Sequence, residues 1–326
     1  MPLHPRDALF DPEERSLPAL PVCDHYAGVE PRMSKSLQLQ AELGPVFDVT
    51  LDNEDGAPAG REVEHARLIA SLLGGPLNRF GRVGVRLLPV DHPAFGDVAA
   101  VVLAAARRPA YLTIPKVRGL DCIERAAHTR RSLGDPSRTR HAALAQVQAL
   151  AAHPRIECLS FGLMDFVSAH RGAIPQWAMS ADGQFDHPLV VRAKLEIAAA
   201  CHAHGKVPSH GVVTEFQDSA ALAEAARKAA ELLGYTRMWS IHPAQVRTIV
   251  AAFSPTADEV AQAVAILRAA EAADWAPIRH TSGGAETLHD RASYRYFWQV
   301  LQRAERLPAG RPPEVRRDWV ATGERA

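Results

Sequence analysis

The sequence predicts an α/β fold in which a parallel sheet is flanked by helices. Short apolar runs, typical of strands, alternate with amphipathic runs, typical of helices, from Pro21 to Ala251. Several apolar runs end in charged residues, at the edge where parallel sheets have their ligand-binding crevice. A strand count close to eight favours a closed (β/α)8 barrel over a doubly wound sheet.

Composition and charge favour a small molecule or a second copy of the chain as the partner. Of 326 residues, 47% are hydrophobic, and 37 Lys and Arg residues balance 37 Asp and Glu residues. The net charge of +0 gives no basic surface for nucleic acid or an anionic membrane. Four scattered cysteines argue against disulfides and a cysteine zinc site, and they favour a cytoplasmic protein. We expect no membrane span or signal peptide, since no apolar run reaches the roughly 20 residues of a span.

Acidic residues follow the second predicted strand, and an arginine lies in the third. After a first strand in LPALPVCDHY and a helix over residues 32–43, the strand VFDVTL runs directly into DNEDG, which holds Asp52, Glu54 and Asp55. Like charges this close repel each other unless a cation offsets them, although a solvated turn would also explain them. Arg86 lies inside the apolar run RVGVRLLPV, so it must meet an anion, either one of these carboxylates or a substrate.

The fourth and sixth predicted strands present a lysine and an aspartate, and the fifth strand is disrupted. Lys116 follows AYLTIP and is either a charge partner for a carboxylate or a Schiff-base lysine. Where the fifth strand is due, after a helix over residues 121–133, the sequence has the polar, proline-containing turn GDPSRTR. Asp165 follows the sixth strand, IECLSF, and is either a catalytic or metal-binding carboxylate or a helix cap.

Two histidines end the remaining strands of the predicted barrel. The seventh strand ends at His210, and the last strand, RMWS, has His242 at its mouth. Each histidine is either a ligand or base, or a structural residue. Beyond the barrel, helices are predicted over residues 258–273 and 286–306. The predicted division is an N-terminal arm over 1–17, a barrel over 18–254, a helical extension over 255–307 and a mobile tail over 308–326.

The strand ends, taken in order, resemble those of the HpcH/HpaI aldolase and citrate lyase β-subunit family. The segments that carry the resemblance are FDVTLDNEDGAP, RVGVRLLP, IPKV, PRIECLSFGLMDF and MWSIHPAQV. The ordered set, which covers the chain from Pro21 to Ala251, is more specific than any one segment. The resemblance implies a (β/α)8 (TIM) barrel of the pyruvate/phosphoenolpyruvate-binding type, a homotrimer or homohexamer, Mg²⁺ as cofactor, and carbon–carbon bond chemistry between an oxo acid and an acyl group.

The resemblance also implies roles for the residues at the strand ends. Arg86 matches the arginine that holds the substrate carboxylate, and Glu54 and Asp55 match the acidic pair that supports this arginine and the waters of the metal. Lys116 matches the lysine after the fourth strand. His242 matches the histidine near the last strand, and we expect it to bind substrate.

One departure from the family pattern concerns the metal. Asp165 matches the metal-ligand aspartate of the family, whose second ligand is a Glu at the end of the fifth strand. Thr139 takes the place of that Glu in this chain. A Thr beside two arginines reverses the local charge, so we expect weakened Mg²⁺ binding. Three alternatives follow from the missing ligand. Another carboxylate, such as Glu54 or Asp52, takes its place; the site binds anions without metal; or the chain is catalytically inactive.

Three functions remain open on the sequence. The leading hypothesis is a Mg²⁺-dependent carbon–carbon lyase that cleaves a citryl-CoA- or malyl-CoA-like hydroxy acid to an oxo acid and an acyl product. In it a cation stabilises the enolate of the departing fragment, and acyl-CoA is a substrate rather than a bound cofactor. The second hypothesis is a non-catalytic carboxylate-binding relative without a complete metal site. The third is a metal-independent Schiff-base aldolase that uses Lys116.

Overall fold

The computed structural model describes residues 4–11, 20–133, 139–140, 144–282 and 285–305. The chain divides into two compact units. One unit is Pro18–Phe253, and the other comprises Met1–Leu17 and Ser254–Ala326. The tail predicted over 308–326 lies outside the described residues.

The larger unit is built on parallel strands that pair in chain order, and the last described strand pairs with the first. The strands are β1 (Cys23–Ala27), β2 (Phe47–Asp52), β3 (Val83–Arg86), β4 (Leu112–Thr113), β5 (Thr139–Arg140), β6 (Ile156–Ser160), β7 (Val207–His210) and β8 (Arg237–Ser240). Every neighbouring pair is parallel, so the carboxyl ends of all these strands lie at one end of the sheet. The predicted α/β class is confirmed.

Helices connect the strands, as the alternating pattern predicts. In chain order they are α1 (Pro5–Leu9), α2 (Glu30–Leu43), α3 (Glu62–Gly74), α4 (Phe95–Leu103), α5 (Leu120–Leu133), α6 (Val147–Ala152), α7 (Leu163–Ala169), α8 (Gly183–Asp186), α9 (Pro188–Ala203), α10 (Ser219–Arg227), α11 (Pro243–Ala252), α12 (Ala257–Ala272) and α13 (Arg291–Glu305). Several begin at recognisable caps: the Asp218 carboxylate accepts hydrogen bonds from two amides at the start of α10.

In the segment GDPSRTR, the described residues Thr139 and Arg140 form a short strand. Thr139 and Arg140 pair with β4 on one side and with β6 on the other, and the register with β6 shifts between them. Residues 134–138 and 141–143 lie outside the described residues. The described part of the fifth strand is therefore a ladder of two residues on each side.

Polar side chains meet near the amino-terminal ends of the strands, inside the sheet. Arg237 of β8 contacts the carboxylates of Asp24 on β1 and Asp48 on β2, at 2.9 and 2.7 Å, and all three side chains are buried. Tyr111 and Thr50 each donate a hydrogen bond to Asp24. The sequence predicted Asp24 near the end of the first strand, but β1 continues to Ala27, so Asp24 lies in the interior instead.

A buried lysine lies between α8 and α9. The Lys194 side chain is completely buried, and its Nζ donates to the backbone carbonyl and the side-chain Oε1 of Gln184, each at 2.9 Å. The Phe185 ring centroid lies 4.1 Å from the same nitrogen. Burial lowers the pKa of Lys194 to about 6.

Replacing Lys194 by Met should flatten the pH dependence of stability. The ordinary pKa of lysine, 10.5, applies to the unfolded chain, so between pH 6 and 10.5 the unfolded state holds the extra proton and stability rises with pH. From pH 7 to 9, the free energy of unfolding of the wild type should rise by up to about 1.4 kcal/mol per pH unit more than that of Lys194→Met. Urea denaturation at several pH values measures this slope, with the exposed Lys35→Met as control. Parallel profiles for wild type and Lys194→Met would contradict the lowered pKa.

The smaller unit has its own apolar core. Helices α12, α13 and α1 supply the buried side chains of Ile266, Leu267, Tyr294, Trp298 and Leu9. Strands β9 (Ile278–Ser282) and β10 (Ala285–His289) form an antiparallel pair. The helix predicted from residue 286 was wrong at its start, because α13 begins only at Arg291 and the preceding residues form this pair.

One helical stretch, Pro243–Ala272, is long and apolar enough by length and composition alone to be a candidate membrane span. It combines α11 and α12, of 10 and 16 residues, each shorter than the roughly 20 residues of a span. A single stretch of this kind is weak evidence, because core helices meet the same criteria. The expectation of no membrane partner stays a prediction.

Candidate active site

A cavity of about 350 Å³ opens at the carboxyl ends of the strands in the larger unit. This is the end at which parallel barrels place their active sites. The cavity contains charged side chains of both signs beside apolar and glycine positions. Its lining residues are Tyr26, Ala27, Gly28, Arg32, Asp52, Asp55, Gly56, Arg86, Pro115, Lys116, Phe161, Gly162, Leu163, Met164, Asp165, Val212, Trp239 and Ile241.

The acidic turn after β2 is folded around Asp52. Its two carboxylate oxygens accept hydrogen bonds from the backbone N–H groups of Glu54 and Gly56, both at 2.9 Å. A Cβ at Gly56 would lie 2.4 Å from an Asp52 oxygen, and a Cβ at Gly28 would lie 1.9 Å from the carbonyl oxygen of Gly56. Only glycines allow this approach, so the turn packs directly against the loop that follows β1.

Arg86, the last residue of β3, is held by the same turn. Its Nε and Nη2 donate to the two Asp52 oxygens at 2.7 and 2.5 Å, and its Nη1 lies 2.9 Å from Glu54. The guanidinium also lies over the Tyr26 ring, 5.4 Å from its centroid. Although burial lowers the pKa of Arg86, the Asp52 and Glu54 carboxylates raise it above its ordinary value. Three of its five N–H groups are engaged, which leaves two for a ligand.

Lys116 approaches the turn from the loop after β4. Its Nζ lies 2.6 Å from Glu54 and 2.9 Å from Asp55. Its backbone has a φ of 51°, in the left-handed region that a side chain other than glycine rarely adopts. Although burial lowers the pKa of Lys116, the hydrogen bonds that it donates to both carboxylates raise that pKa above its ordinary value. A Schiff-base lysine must react as the neutral amine, so this environment argues against that role.

Glu54 and Asp55 differ in their surroundings. The Glu54 side chain is 4% exposed, and its two oxygens face Lys116 and Arg86 separately. Burial raises the pKa of Glu54, while the charge of Arg86 and the Lys116 hydrogen bond lower it to a smaller extent. The Asp55 side chain is 59% exposed; burial raises its pKa, but the hydrogen bond and charge of Lys116 outweigh that effect and lower it. Glu54 thus links the two cations, whereas Asp55 contacts Lys116 alone among them and lines the cavity.

Comparison with known proteins shows which family the chain belongs to. No protein-family model matches the chain. An L-malyl-CoA/beta-methylmalyl-CoA lyase of Cereibacter sphaeroides is 31% identical over 289 residues, which cover 80% of this chain and 88% of the relative. The chain belongs to the citrate lyase/HpcH family. A citrate lyase structure from Burkholderia xenovorans is 54% identical, covers 96% of this chain and 98% of its own, and has a TM-score of 0.83.

The predicted family is therefore confirmed, and so is membership of a group of lyases. A more distant structure has the same fold: CitE of Mycobacterium tuberculosis, in complex with magnesium, acetoacetate and coenzyme A. It is 18% identical, covers 88% of this chain and 98% of its own, and has a TM-score of 0.69. These ligands belong to that protein, and whether the residues of this family member fit a metal ion is a separate matter.

Among the described carboxylates that line the cavity of this citrate lyase family member, Asp165 is the one that would hold a metal ion. Asp165 is the third residue of α7, is exposed and lines the cavity, and its carboxylate forms no ion pair with a described residue. The oxygens of Asp52 and Glu54, and one oxygen of Asp55, face arginine or lysine nitrogens. In the described parts of the chain, no group of three or more His, Cys, Asp or Glu side chains is placed to hold a metal.

The two strand-end histidines lie outside the cavity lining. His242 is the exposed N-cap of α11, where its side chain accepts a hydrogen bond from the Ala244 amide and its ring lies 5.0 Å from that of Phe216. Substrate binding by His242 stays a prediction. His210 is fully buried and stacks on Phe185 at 5.3 Å, and burial lowers its pKa well below the ordinary value. Of the two alternatives for His210, a ligand or base and a structural residue, the burial therefore fits the structural one.

Sequence reasoning missed several lining residues. Arg32 lies in the first turn of α2, is exposed, and makes no side-chain contact with a described residue that would neutralise it. Met164 and Ile241 also line the cavity and are 36% and 40% exposed. A lone arginine on an amphipathic helix carries no signal by itself. Its position in the first turn of the helix that follows β1 was the signal that could have identified it.

Proposed function

We propose that the protein is a carbon–carbon lyase that cleaves a malyl-CoA- or citryl-CoA-like hydroxy acid into an oxo acid and an acyl-CoA product. The names of its relatives support a lyase that acts on a CoA ester. The observation that carries the proposal is the pair of fixed cations, Arg86 and Lys116, in a cavity at the carboxyl ends of the strands.

The reaction needs a group that binds the carboxylate and a group that moves a proton. A base takes the hydroxyl proton, the electrons of the C–C bond move to the thioester as an enolate, and the oxo acid leaves. The enolate carbon then takes up a proton, so the reaction needs no other reactant. We assign the carboxylate to the two remaining N–H groups of Arg86, the enolate oxygen to Lys116, and the proton transfer to the Asp55 carboxylate.

The size of the cavity indicates which part of such a substrate binds inside it. A volume of about 350 Å³ lies at the small end of ligand pockets and suits a hydroxy acid of a few carbons. The CoA moiety must then extend beyond the cavity. Arg32 would meet its phosphates, and the apolar Met164 and Ile241 would line the path of its pantetheine arm.

The finer family properties extend this proposal. We propose a (β/α)8 barrel of the pyruvate/phosphoenolpyruvate-binding type, a homotrimer or homohexamer, and a cytoplasmic location. The predicted Mg²⁺ dependence stays a prediction, in which Asp165 would hold the ion. A metal ion bound there would supply electrophilic stabilisation of the enolate.

A second candidate function is a non-catalytic carboxylate-binding protein. It is favoured by Thr139, which takes the place of the second metal-ligand carboxylate, within a two-residue β5. Such a protein would keep Arg86 and bind oxo acids without turning over their CoA adducts.

Incubation with a panel of 3-hydroxy-acyl-CoA thioesters tests the choice between these two functions. We expect release of an oxo acid and an acyl-CoA from at least one malyl-, citramalyl- or citryl-CoA, detected by trapping the oxo acid as its phenylhydrazone and by mass spectrometry. Lys116→Gln serves as the low-activity control. Tight oxo-acid binding with no cleavage of any thioester, with or without Mg²⁺, would favour the non-catalytic function.

A further inference from the structure

We infer that the cavity selects a hydroxy acid whose hydroxyl-bearing carbon carries a short alkyl group and not a second carboxylate. The Trp239 ring sets the size limit of that group. This inference rests on the proposed function and narrows its substrate. Citramalyl-CoA-like thioesters, which release pyruvate, are favoured over citryl-CoA-like thioesters, which release oxaloacetate.

Charged and apolar side chains lie on different sides of the cavity. Because the strands pair in chain order and β8 returns to β1, the ends of β2–β4 and of β6–β8 lie on opposite sides of it. Among the described lining residues, the cations Arg32, Arg86 and Lys116 follow or end β1, β3 and β4. The acidic turn after β2 contacts Arg86 and Lys116. We call the side formed by the ends of β2–β4 the charged half.

The opposite side, which we call the apolar half, is lined from β6, β7 and β8. Asp165 is the one charged residue among its described lining residues, and it is a carboxylate. The other lining residues of the apolar half are Phe161, Gly162, Leu163, Met164, Val212, Trp239 and Ile241. A substrate group that enters this half therefore meets apolar surface and no described cation.

A substrate held on the charged half directs one substituent to the apolar half. The hydroxyl-bearing carbon carries the carboxylate and the hydroxyl, which the proposed function assigns to Arg86 and Asp55. It also carries the methylene that leads to the thioester and out of the cavity, and one further group, which is left to face Trp239 and Phe161. An alkyl group is stabilised there by leaving water. A carboxylate would lose its water without gaining a cation, and it would approach Asp165.

The aromatic wall of the apolar half is fixed by ring packing. Trp239 is 8% exposed, and its ring centroid lies 4.6 Å from that of Tyr26. The Tyr26 ring also contacts the Arg86 guanidinium, 5.4 Å from its centroid. Phe161 is 3% exposed, and its ring centroid lies 5.3 Å from that of Phe166. Closely packed rings resist displacement, so a bulky substituent cannot push this wall back.

Three thioesters that differ only in this substituent test the inference in the wild-type protein. Malyl-CoA carries a hydrogen, citramalyl-CoA a methyl group and citryl-CoA a carboxymethyl group. We expect kcat/KM for citramalyl-CoA to exceed that for malyl-CoA about fourfold, the effect of burying one methyl group. It should exceed that for citryl-CoA at least about a hundredfold, because the second carboxylate is buried without a partner. Mg²⁺ is present in every assay, so that a metal ion on Asp165 can take part.

Trp239→Leu and Trp239→Arg test the role of the ring. The smaller leucine should raise kcat/KM for the ethyl homologue of citramalyl-CoA, which releases 2-oxobutyrate, about tenfold relative to citramalyl-CoA. Arginine supplies the missing cation, so it should raise kcat/KM for citryl-CoA at least about tenfold relative to citramalyl-CoA. A ratio measured within one variant does not depend on how much of that variant is folded.

The same two changes at Trp177 are the matched controls. Trp177 is 52% exposed and does not line the cavity, so both ratios should stay within about twofold of wild type. Ratios that change equally in the Trp177 and Trp239 variants, or in neither, would overturn the role of the Trp239 ring.

Binding of the oxo acids alone separates this inference from the proposed function. Calorimetry with Mg²⁺ should give binding of pyruvate at least about tenfold tighter than that of oxaloacetate. This preference without cleavage of any thioester would uphold the inference and overturn the lyase activity. Citryl-CoA cleaved as fast as citramalyl-CoA, or oxaloacetate bound as tightly as pyruvate, would overturn the inference even if the lyase activity is confirmed. If neither oxo acid binds and no thioester is cleaved, both are overturned.

Discussion

Replacing Arg86 by Lys should lower kcat/KM for the thioester that the protein cleaves by about a hundredfold to a thousandfold. Lysine keeps one positive charge but cannot reproduce the fork that contacts Asp52 and Glu54 while presenting two further N–H groups. The substrate carboxylate would lose its paired donors, and Asp52 would lose its bidentate partner. Steady-state kinetics with oxo-acid release as the readout measures this effect.

A matched control is available at the other end of the strands. Arg82 contacts Asp48 through its Nε at 2.9 Å, and its side chain is one-third exposed and does not line the cavity. Arg82→Lys therefore makes the same chemical change at a partly exposed arginine away from the cavity, so kcat/KM should stay within about twofold even if the contact with the buried Asp48 weakens. Equal losses in the two variants would show that Arg86 acts through the fold and not through substrate binding.

The part of the site carried by the acidic turn and Arg86 could be predicted from the sequence. The sequence has an arginine inside an apolar run and three carboxylates after the preceding strand. Because neighbouring parallel strands end side by side, the arginine and the carboxylates are expected to meet and offset each other's charge. Asp52 and Arg86 are register partners in β2 and β3 and bind each other. Lys116 follows by the same reasoning from the next strand.

Other parts of the fold gave no comparable local signal. Asp24 and Arg237 are far apart in the chain, and each looks like an ordinary surface residue in its own segment. Only closure of the sheet, which pairs β1 with β8, brings them together. The pairing of β9 with β10 was missed for a different reason, because the helix predicted from residue 286 covers most of β10.

Replacing Arg237 by Met should lower the free energy of unfolding by about 3–5 kcal/mol, the usual cost of removing one member of a buried ion pair. Arg237 is fully buried between the carboxylates of Asp24 and Asp48, and its Nη1 also donates to the Pro21 carbonyl at 2.6 Å. Although burial lowers the pKa of Arg237, the two carboxylates raise it well above its ordinary value, so the charge stays in place. Urea denaturation at pH 7 measures the loss.

The physical cause of that loss can be tested by removing the opposing charges as well. In Arg237→Met the two aspartates remain buried without their shared partner, whereas the triple variant Asp24→Asn, Asp48→Asn, Arg237→Met buries no net charge there. If uncompensated charge is the cause, the triple variant should recover a large part of the stability. A triple variant no more stable than Arg237→Met would instead attribute the loss to packing and to the hydrogen bond with Pro21. The remote placement of this network, at the amino-terminal ends of the strands, predicts that whatever stability returns will leave oxo-acid binding at Arg86 unchanged.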